Sequence, residues 1–174
     1  MHFRTADLSD SLALADLVRE VAASHKLPFF AEEVNHEWAT QLIQQTSLRQ
    51  GLMIVAPHPH KEDALAGVVC GLKSGTQAQR HILSEFLLVV HPAFAELERA
   101  MLILFLDEVV QHRPDIGKVE LMICESEAER IRLLQSVDFM IEGRLEMRRK
   151  NADRTYEADI ALSWQNPAYE FDQP

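Results

Sequence analysis

One stretch constrains the fold more than any other: Ser84 to Val110, SEFLLVVHPAFAELERAMLILFLDEVV. Glu85 to Val90 is a short run of branched and aromatic residues closed by His91 and Pro92, the pattern of a central strand. Ala100 to Leu106 is apolar without a break, so the helix that follows is buried on most sides. A strand that hands the chain to a helix N-terminus presents free backbone N–H groups and the positive end of the helix dipole, a ready place for an anion. This chain puts Glu96 and Glu98 there, and no glycine. That conflict governs the functional reading.

The elements on either side can be read from periodicity. His2 to Thr5 is a short edge strand. Leu12, Ala15, Val18 and Ala22 recur at helical spacing, predicting an amphipathic helix over Ser9 to Ala23, broken by His25-Lys26-Leu27-Pro28. A second helix is expected from Ala31 to Thr46, with Val34, Trp38 and Leu42 on its inner face. Leu52–Ala56, Ala64–Lys73 and His81–Val90 read as a three-stranded antiparallel meander, its turns at 57–63 and 74–79. The central helix is expected over Ala93 to His112, with Pro114 and Gly117 as its stop signals. Lys118 to Cys124 is the next strand. A helix crosses between it and Glu85–Val90, so those two strands should run parallel. A short helix over Ser126–Ser136 carries capping-box spacing at Ser126 and Glu129. Two last strands, Phe139–Arg149 and Arg154–Trp164, complete the order. The expectation is an α/β fold: a mixed, mostly antiparallel central sheet with helices on both faces, residues 1–164 forming one domain. Residues 165–174 lack periodicity and read as a mobile tail.

Composition excludes some functions. The net charge of −10 argues against binding nucleic acid or an anionic membrane, both of which need a basic face. The longest apolar run, Ala100 to Leu106, is too short to span a bilayer. No signal-peptide pattern opens the sequence, so the expected location is cytoplasmic. Cys70 and Cys124 sit in apolar runs and read as buried thiols. There is no G-x-S-x-G, no Walker loop and no Cys-x-x-Cys. His58 and His60 lack a third ligand at useful spacing, so no metal is expected.

Three local matches, in this order and spacing, give the chain a resemblance to a known family. They are Phe3-Arg4-Thr5-Ala6 with Asp10, the VVHPAF segment at 89–94, and IRLLQSVDFMIEGR at 131–144. Together they resemble the GNAT superfamily of N-acetyltransferases over about residues 2–164. The resemblance implies an acetyl-CoA-dependent transfer to a small-molecule or peptide amine, and a possible homodimer through the last strands. It implies that the strand before the central helix splays from its parallel neighbour and that acetyl-CoA lies in the cleft. Val89 and Val90 would hold the pantetheine arm, and the loop Glu96, Leu97, Glu98, Arg99 and Ala100 the diphosphate.

The sequence departs from the family at several of these places. The family's loop has Arg or Gln, two residues, Gly, one residue, then Gly or Ala. Here those positions are Ala95, Glu98 and Ala100, and a second common glycine is Glu96. Each carboxylate at a few ångströms from a diphosphate costs on the order of 1–4 kcal/mol. The same carboxylates stabilise an empty helix N-terminus by roughly 0.3–1 kcal/mol each. The family often has Asn at Glu127, Gly at Asp138, and at Leu134 a Tyr that protonates the departing thiolate. The alternative reading is a catalytically silent GNAT-fold binding or regulatory module that has lost acetyl-CoA. Glu85, flanked by Ile82, Leu83 and Phe86, is the candidate general base, expected in an apolar setting. Tyr156 is the candidate substitute acid. His91 at the strand end, Cys124 near the cleft, and Phe29, Phe30 and Trp38 as an acceptor wall complete the set, each with a plain packing explanation beside it.

Overall fold

Every residue of Leu65–Lys73 is buried. Val68 and Cys70 point into one apolar cluster and Val69 into another, one on each side of the sheet. A strand shielded on both faces has no reason to alternate apolar with polar. The structure is a computed structural model and describes residues 2–23, 25–151 and 153–170. Its elements are β1 (Arg4–Thr5), α1 (Ser11–Ala22), α2 (His36–Leu48), β2 (Leu52–Pro57), β3 (Leu65–Lys73), β4 (Ile82–Val90), α3 (Leu97–His112), β5 (Lys118–Cys124), α4 (Ala128–Gln135), β6 (Met140–Lys150) and β7 (Tyr156–Gln165). The strands form one seven-stranded sheet in the order β1-β2-β3-β4-β5-β7-β6. β4 and β5 are parallel, and the other neighbouring pairs are antiparallel.

The two faces carry different helices. Leu14 and Val18 of α1 and Ala39 and Ile43 of α2 pack on Met53, Val55, Val68, Leu87 and Val89. Met101, Leu102, Phe105 and Leu106 of α3, with Leu134 of α4, pack on Ile54, Val69, Leu88 and Val90. This is the mixed sheet with helices on both faces that the periodicity predicts. Phe105 is fully buried, and truncating it to alanine should cost about 3–5 kcal/mol.

β4 contains the feature that shapes the site. Cys70 pairs with Leu87 and Leu72 with Ser84, so Glu85 and Phe86 together face Gly71. This is a β-bulge, and Glu85 takes a φ of 50°, in the left-handed region. Gly71 fits because a Cβ there would come within 3.2 Å of the Phe105 ring. The bulge bends β4. It pairs with β5 only at Ile82↔Lys118 and Leu83↔Val119, just before the bend, and beyond that point the strands separate.

The closed end of this splay is held from below. Gly117 N and Lys118 N both donate to the His81 carbonyl, at 2.8 and 3.2 Å. Asn166 N donates to the Gly117 carbonyl at 2.9 Å, and Asn166 Nδ2 to the Ile116 carbonyl at 2.8 Å. Tyr169 stacks on His81 with ring centroids 6.1 Å apart. The segment expected as a mobile tail is therefore docked over 165–170, because Asn166 satisfies a buried carbonyl. Residues 171–174 lie outside the described residues.

Three other expectations need correction. The first helix begins at Ser11 rather than Ser9. Leu8–Asp10 forms a 3-10 turn whose capping box uses Asp7 and Asp10. Ala31–Glu33 is a separate 3-10 turn, and α2 starts behind Asn35, whose side chain accepts from Trp38 N at 2.9 Å. The capping box at Ser126 and Glu129 does not form. Glu127 occupies the N-cap without a side-chain cap, and Ser126 Oγ bonds Glu157 at 3.1 Å instead.

Candidate functional site

Where β4 and β5 part, three neighbouring cavities share lining residues. The outer one, about 570 Å³, is lined by Leu88–Val90, Pro92, Ala95 and Glu98, with 126–130 of α4 and its approach opposite. It shares Leu88, Glu98, Arg130 and Leu133 with a waist of about 40 Å³ between Phe86–Leu88 and Leu121–Ile123. The waist shares Pro28, Phe86, Leu121, Met122 and Arg149 with a third chamber, about 700 Å³, at the other end. Splaying two parallel strands leaves their facing backbone groups without ladder partners, so such a gap is a natural binding place for an elongated polar ligand.

One of those backbone groups has found a side chain. Arg130 Nη2 donates to the Leu88 carbonyl at 2.6 Å, and Arg130 Nε donates to Glu98 Oε1 at 2.8 Å. The two side chains are 17% and 23% exposed, so the pair is shielded from much of the solvent. Glu98 is thus not a bare charge at the start of α3. Glu96 is the N-cap of α3, is exposed, and makes no side-chain cap hydrogen bond. The self-capped helix end envisaged from sequence is not what these two glutamates form.

The chain between α1 and α2 closes one side. Glu127 accepts from Lys26 N at 3.1 Å and contacts His25 Nδ1 at 3.2 Å. Arg149 Nη1 donates to the Lys26 carbonyl at 3.1 Å, while its Nε pairs with Asp159. Lys26 Nζ pairs with Glu157, which also accepts from the Cys124 thiol. The Cys124 hydrogen bond, followed by that of Lys26, lowers the Glu157 carboxyl to about 2. These contacts fix Leu27 and Pro28 against the waist.

No protein-family model matches the chain, and no curated protein matches it in sequence. Solved structures do match in shape. An acetyltransferase of the GNAT family from Streptococcus pneumoniae superposes with a TM-score of 0.81 at 16% identity, covering 94% of this chain and 98% of its own. A GNAT superfamily phosphinothricin acetyltransferase from Sinorhizobium meliloti, in complex with acetyl-CoA, gives 0.83 at 12% identity, covering 99% and 92%. The chain has the GNAT fold. A third match, ribosomal-protein-alanine N-acetyltransferase from Brucella melitensis, gives 0.80 at 16% identity over 95% and 99% of the two chains.

Within the GNAT fold the candidate residues can now be placed. Val89 and Val90 line the outer chamber, and Glu98 stands where that chamber meets the waist. Leu97 packs on the core, whereas Arg99 and Ala100 are exposed beyond the chamber lining. Glu85 lines the third chamber, but the apolar setting expected for it is absent. The bulge turns its side chain outward, 59% exposed, and Arg49 Nη1 holds it at 2.6 Å. Tyr156 opens β7 opposite Lys150, half-exposed and outside the linings of all three chambers.

Leu134, at the position where GNAT proteins often carry tyrosine, is buried and lines the waist. Asp138, at a common glycine position, takes a φ of 68°. The fold keeps the left-handed turn after α4 and fills it with a residue that tolerates the region. His91 caps the turn into α3, its Nδ1 accepting from Ala93 N at 3.1 Å and its Nε2 lying 3.0 Å from Glu20. The Cys70 thiol is pushed up to about 12 by burial. Phe29 packs on Trp38, with ring centroids 5.1 Å apart, in the α1–α2 core. Phe30 is exposed. Among the described residues no cluster of three or more His, Cys, Asp or Glu side chains could hold a metal. No described helix is long and apolar enough to cross a membrane.

Arg130 was missed by the sequence reading. It lies 32 positions from Glu98 and 42 from Leu88, and nothing local ties the three together. The one available signal was an arginine two residues inside a short helix already aligned with the cleft.

Proposed function

We propose that this chain is an acetyl-CoA-dependent N-acetyltransferase whose acceptor is a small-molecule or peptide amine. The cavities carry the reading: two large ones on either side of a waist between splayed strands would let two substrates approach from opposite ends. The likeness in shape to a phosphinothricin acetyltransferase in complex with acetyl-CoA supports giving the outer chamber to the donor. The lining fits such a group. Val89 and Val90 flank it, and the Leu88 carbonyl faces the gap as an acceptor for an amide N–H. Glu98, Glu127 and Glu129 line the same chamber and Glu96 stands just outside it; Arg130 offsets Glu98, and Glu127 is held by His25 and Lys26 N.

When bound, acetyl-CoA supplies an acetyl group as a thioester. The chain's own residues orient and exclude water: Leu88, Ile123, Leu133 and Leu134 supply the apolar part of a waist that Lys26, Glu98, Arg130 and Arg149 also line. Glu85, held by Arg49 at the third chamber, takes the amine proton through solvent. Leu134 cannot donate a proton, and Tyr156 stands too far outside the chamber linings to be the first choice for that task. The charge of −10 favours a cationic acceptor. We assign the protein to the cytoplasm, which suits two cysteines that stay free.

A homodimer through β6 belongs to the same proposal. Met140, Ile141, Leu145 and Met147 are exposed on this edge strand. In an antiparallel pairing centred on Leu145, Glu142 would meet Arg148 of the second copy and Arg144 would meet Glu146.

The test is thermal unfolding with acetyl-CoA. Saturation at 100 times Kd adds about 2.7 kcal/mol, a rise of roughly 5–10 °C for a chain of this size. Release of free CoA thiol with a panel of polyamines, aminoglycosides and peptide N-termini then identifies the acceptor. No shift at millimolar acetyl-CoA would favour the silent binding module.

A further inference from the structure

The guanidinium of Arg130 sits on the boundary between two chambers. The outer chamber and the waist share Leu88, Glu98, Arg130 and Leu133, and the hydrogen bonds of Arg130 run to the first two of these. An elongated group moving from the outer chamber to the waist must pass between β4 and α4 at this level. Arg130 bridges that gap from α4 to β4, with α3 as its second anchor. We propose that Arg130 is a latch on the passage: it bars the waist when the cleft is empty, and turns onto the diphosphate when the donor enters. This rests on the acetyltransferase reading and gives Arg130 a role beyond offsetting Glu98.

The exchange is chemically balanced. Leu88 O is a strand carbonyl facing the splay, and a buried carbonyl left unpaired is destabilising. An amide N–H of the pantetheine arm can take the place of the arginine N–H, so the acceptor is never stranded. The guanidinium, released from Leu88, has a planar fork that matches phosphate oxygens. Glu98 keeps it at the start of α3, where the family's glycines are missing. The latch thus lets one side chain bridge the splay, offset Glu98, and supply cationic donors that the α3 loop lacks.

Two probes separate the two roles. Acetyl-CoA carries the diphosphate, whereas S-acetylpantetheine has the same arm and thioester without phosphate. Titration calorimetry on the full chain is expected to give opposite signs for Arg130→Ala. It should bind S-acetylpantetheine roughly tenfold more tightly, because the waist is open, and acetyl-CoA roughly tenfold more weakly, because the phosphate partner is gone. Arg130→Lys keeps a charge but replaces the two nitrogens that reach Leu88 and Glu98 separately with one ammonium on a shorter side chain, which weakens the bridge. It should retain acetyl-CoA affinity within a few-fold while also binding S-acetylpantetheine more tightly. Melting curves of both variants check folding. Shifts of the same sign for both probes, or unchanged affinities in both variants, overturn the latch while leaving the acetyltransferase reading in place. If neither wild type nor either variant binds either probe, that reading fails and the latch falls with it.

Discussion

Asn166→Ala tests whether the C-terminal segment holds the closed end of the splay. Asn166 is 2% exposed, and its Nδ2 donates to the carbonyl of fully buried Ile116. Its Oδ1 accepts from Ala168 N at 2.9 Å, which shapes the segment that carries Tyr169. Alanine removes both bonds and leaves the Ile116 carbonyl unpaired, a loss of about 1–3 kcal/mol. For a chain of 150–250 residues each kcal/mol moves Tm by about 2–4 °C, so Tm should fall by about 2–12 °C. Asn166→Asp sharpens the test. It keeps the acceptor for Ala168 N but sets an oxygen against the Ile116 carbonyl, so it should cost at least as much at neutral pH. Urea unfolding gives the free-energy change, and native-state hydrogen exchange reads the Gly117 and Lys118 amides that donate to His81. Those two amides should lose protection before amides in the middle of β3. If both variants stay within about 0.5 kcal/mol of wild type, the segment is not fastening the strands and the argument is wrong.

Three further outcomes are expected. The Glu157 carboxyl lies at about 2 against 4.5, and Asp115 at about 2 against 3.8; for Asp115 burial pushes upward but Arg113 and Lys73 outweigh it. Both folded values are depressed, so their stabilisation is present above about pH 4.5 and is lost as pH falls toward 2. Urea midpoints from pH 6 to 2 should show this, with a shallower acid limb in Glu157→Gln. Asp138→Gly relieves a left-handed residue after α4 and should stabilise the chain by about 0.5–1 kcal/mol in urea unfolding; destabilisation would mean that the Asp138 side chain holds the turn. The double change Arg144→Glu, Arg148→Glu places like charges across a β6 pairing, so light scattering should show a dimeric wild type and a monomeric variant. An unchanged mass would remove β6 as the interface.

The parts of the fold legible in the sequence were those decided by local pattern. Lys118–Cys124 is a strand over the residues expected, because a short apolar run between Gly117 and Glu125 leaves few alternatives. The parallel relation of β4 and β5 followed from the helix between them, a constraint of chain geometry. The bulge was not legible. It places a glutamate at positive φ where a glycine would have announced it, and the glycine that permits it, Gly71, lies on the neighbouring strand. The docked tail escaped notice because a single asparagine carries it, with no periodicity to detect. Ser126 and Glu129 had the right spacing for a capping box. Tertiary competition overrode it, since Glu157 on β7 offers Ser126 a charged acceptor.

The largest revision concerns charge. A bare carboxylate about 4 Å from a diphosphate costs about 1 kcal/mol in water and about 4 kcal/mol in a shielded site, so two of them weigh against tight binding. Arg130 at 2.8 Å from Glu98 makes that pair neutral to a distant anion. What survives is Glu127 and Glu129 in the chamber lining and Glu96 beyond it; Glu129 and Glu96 are exposed to solvent, where the lower figure applies and salt reduces it further, and Glu127 is held by His25 and Lys26 N. One kcal/mol is about fivefold in affinity for each such carboxylate, a penalty that cationic donors in the cleft have to offset. The close backbone approach that glycines allow is still missing at Glu96 and Glu98. A phosphate held here must therefore depend on the Arg130 guanidinium and the open edge of β4 more than on the α3 loop, and its affinity should fall steeply with salt, since a charged side chain would be doing what backbone N–H groups do elsewhere.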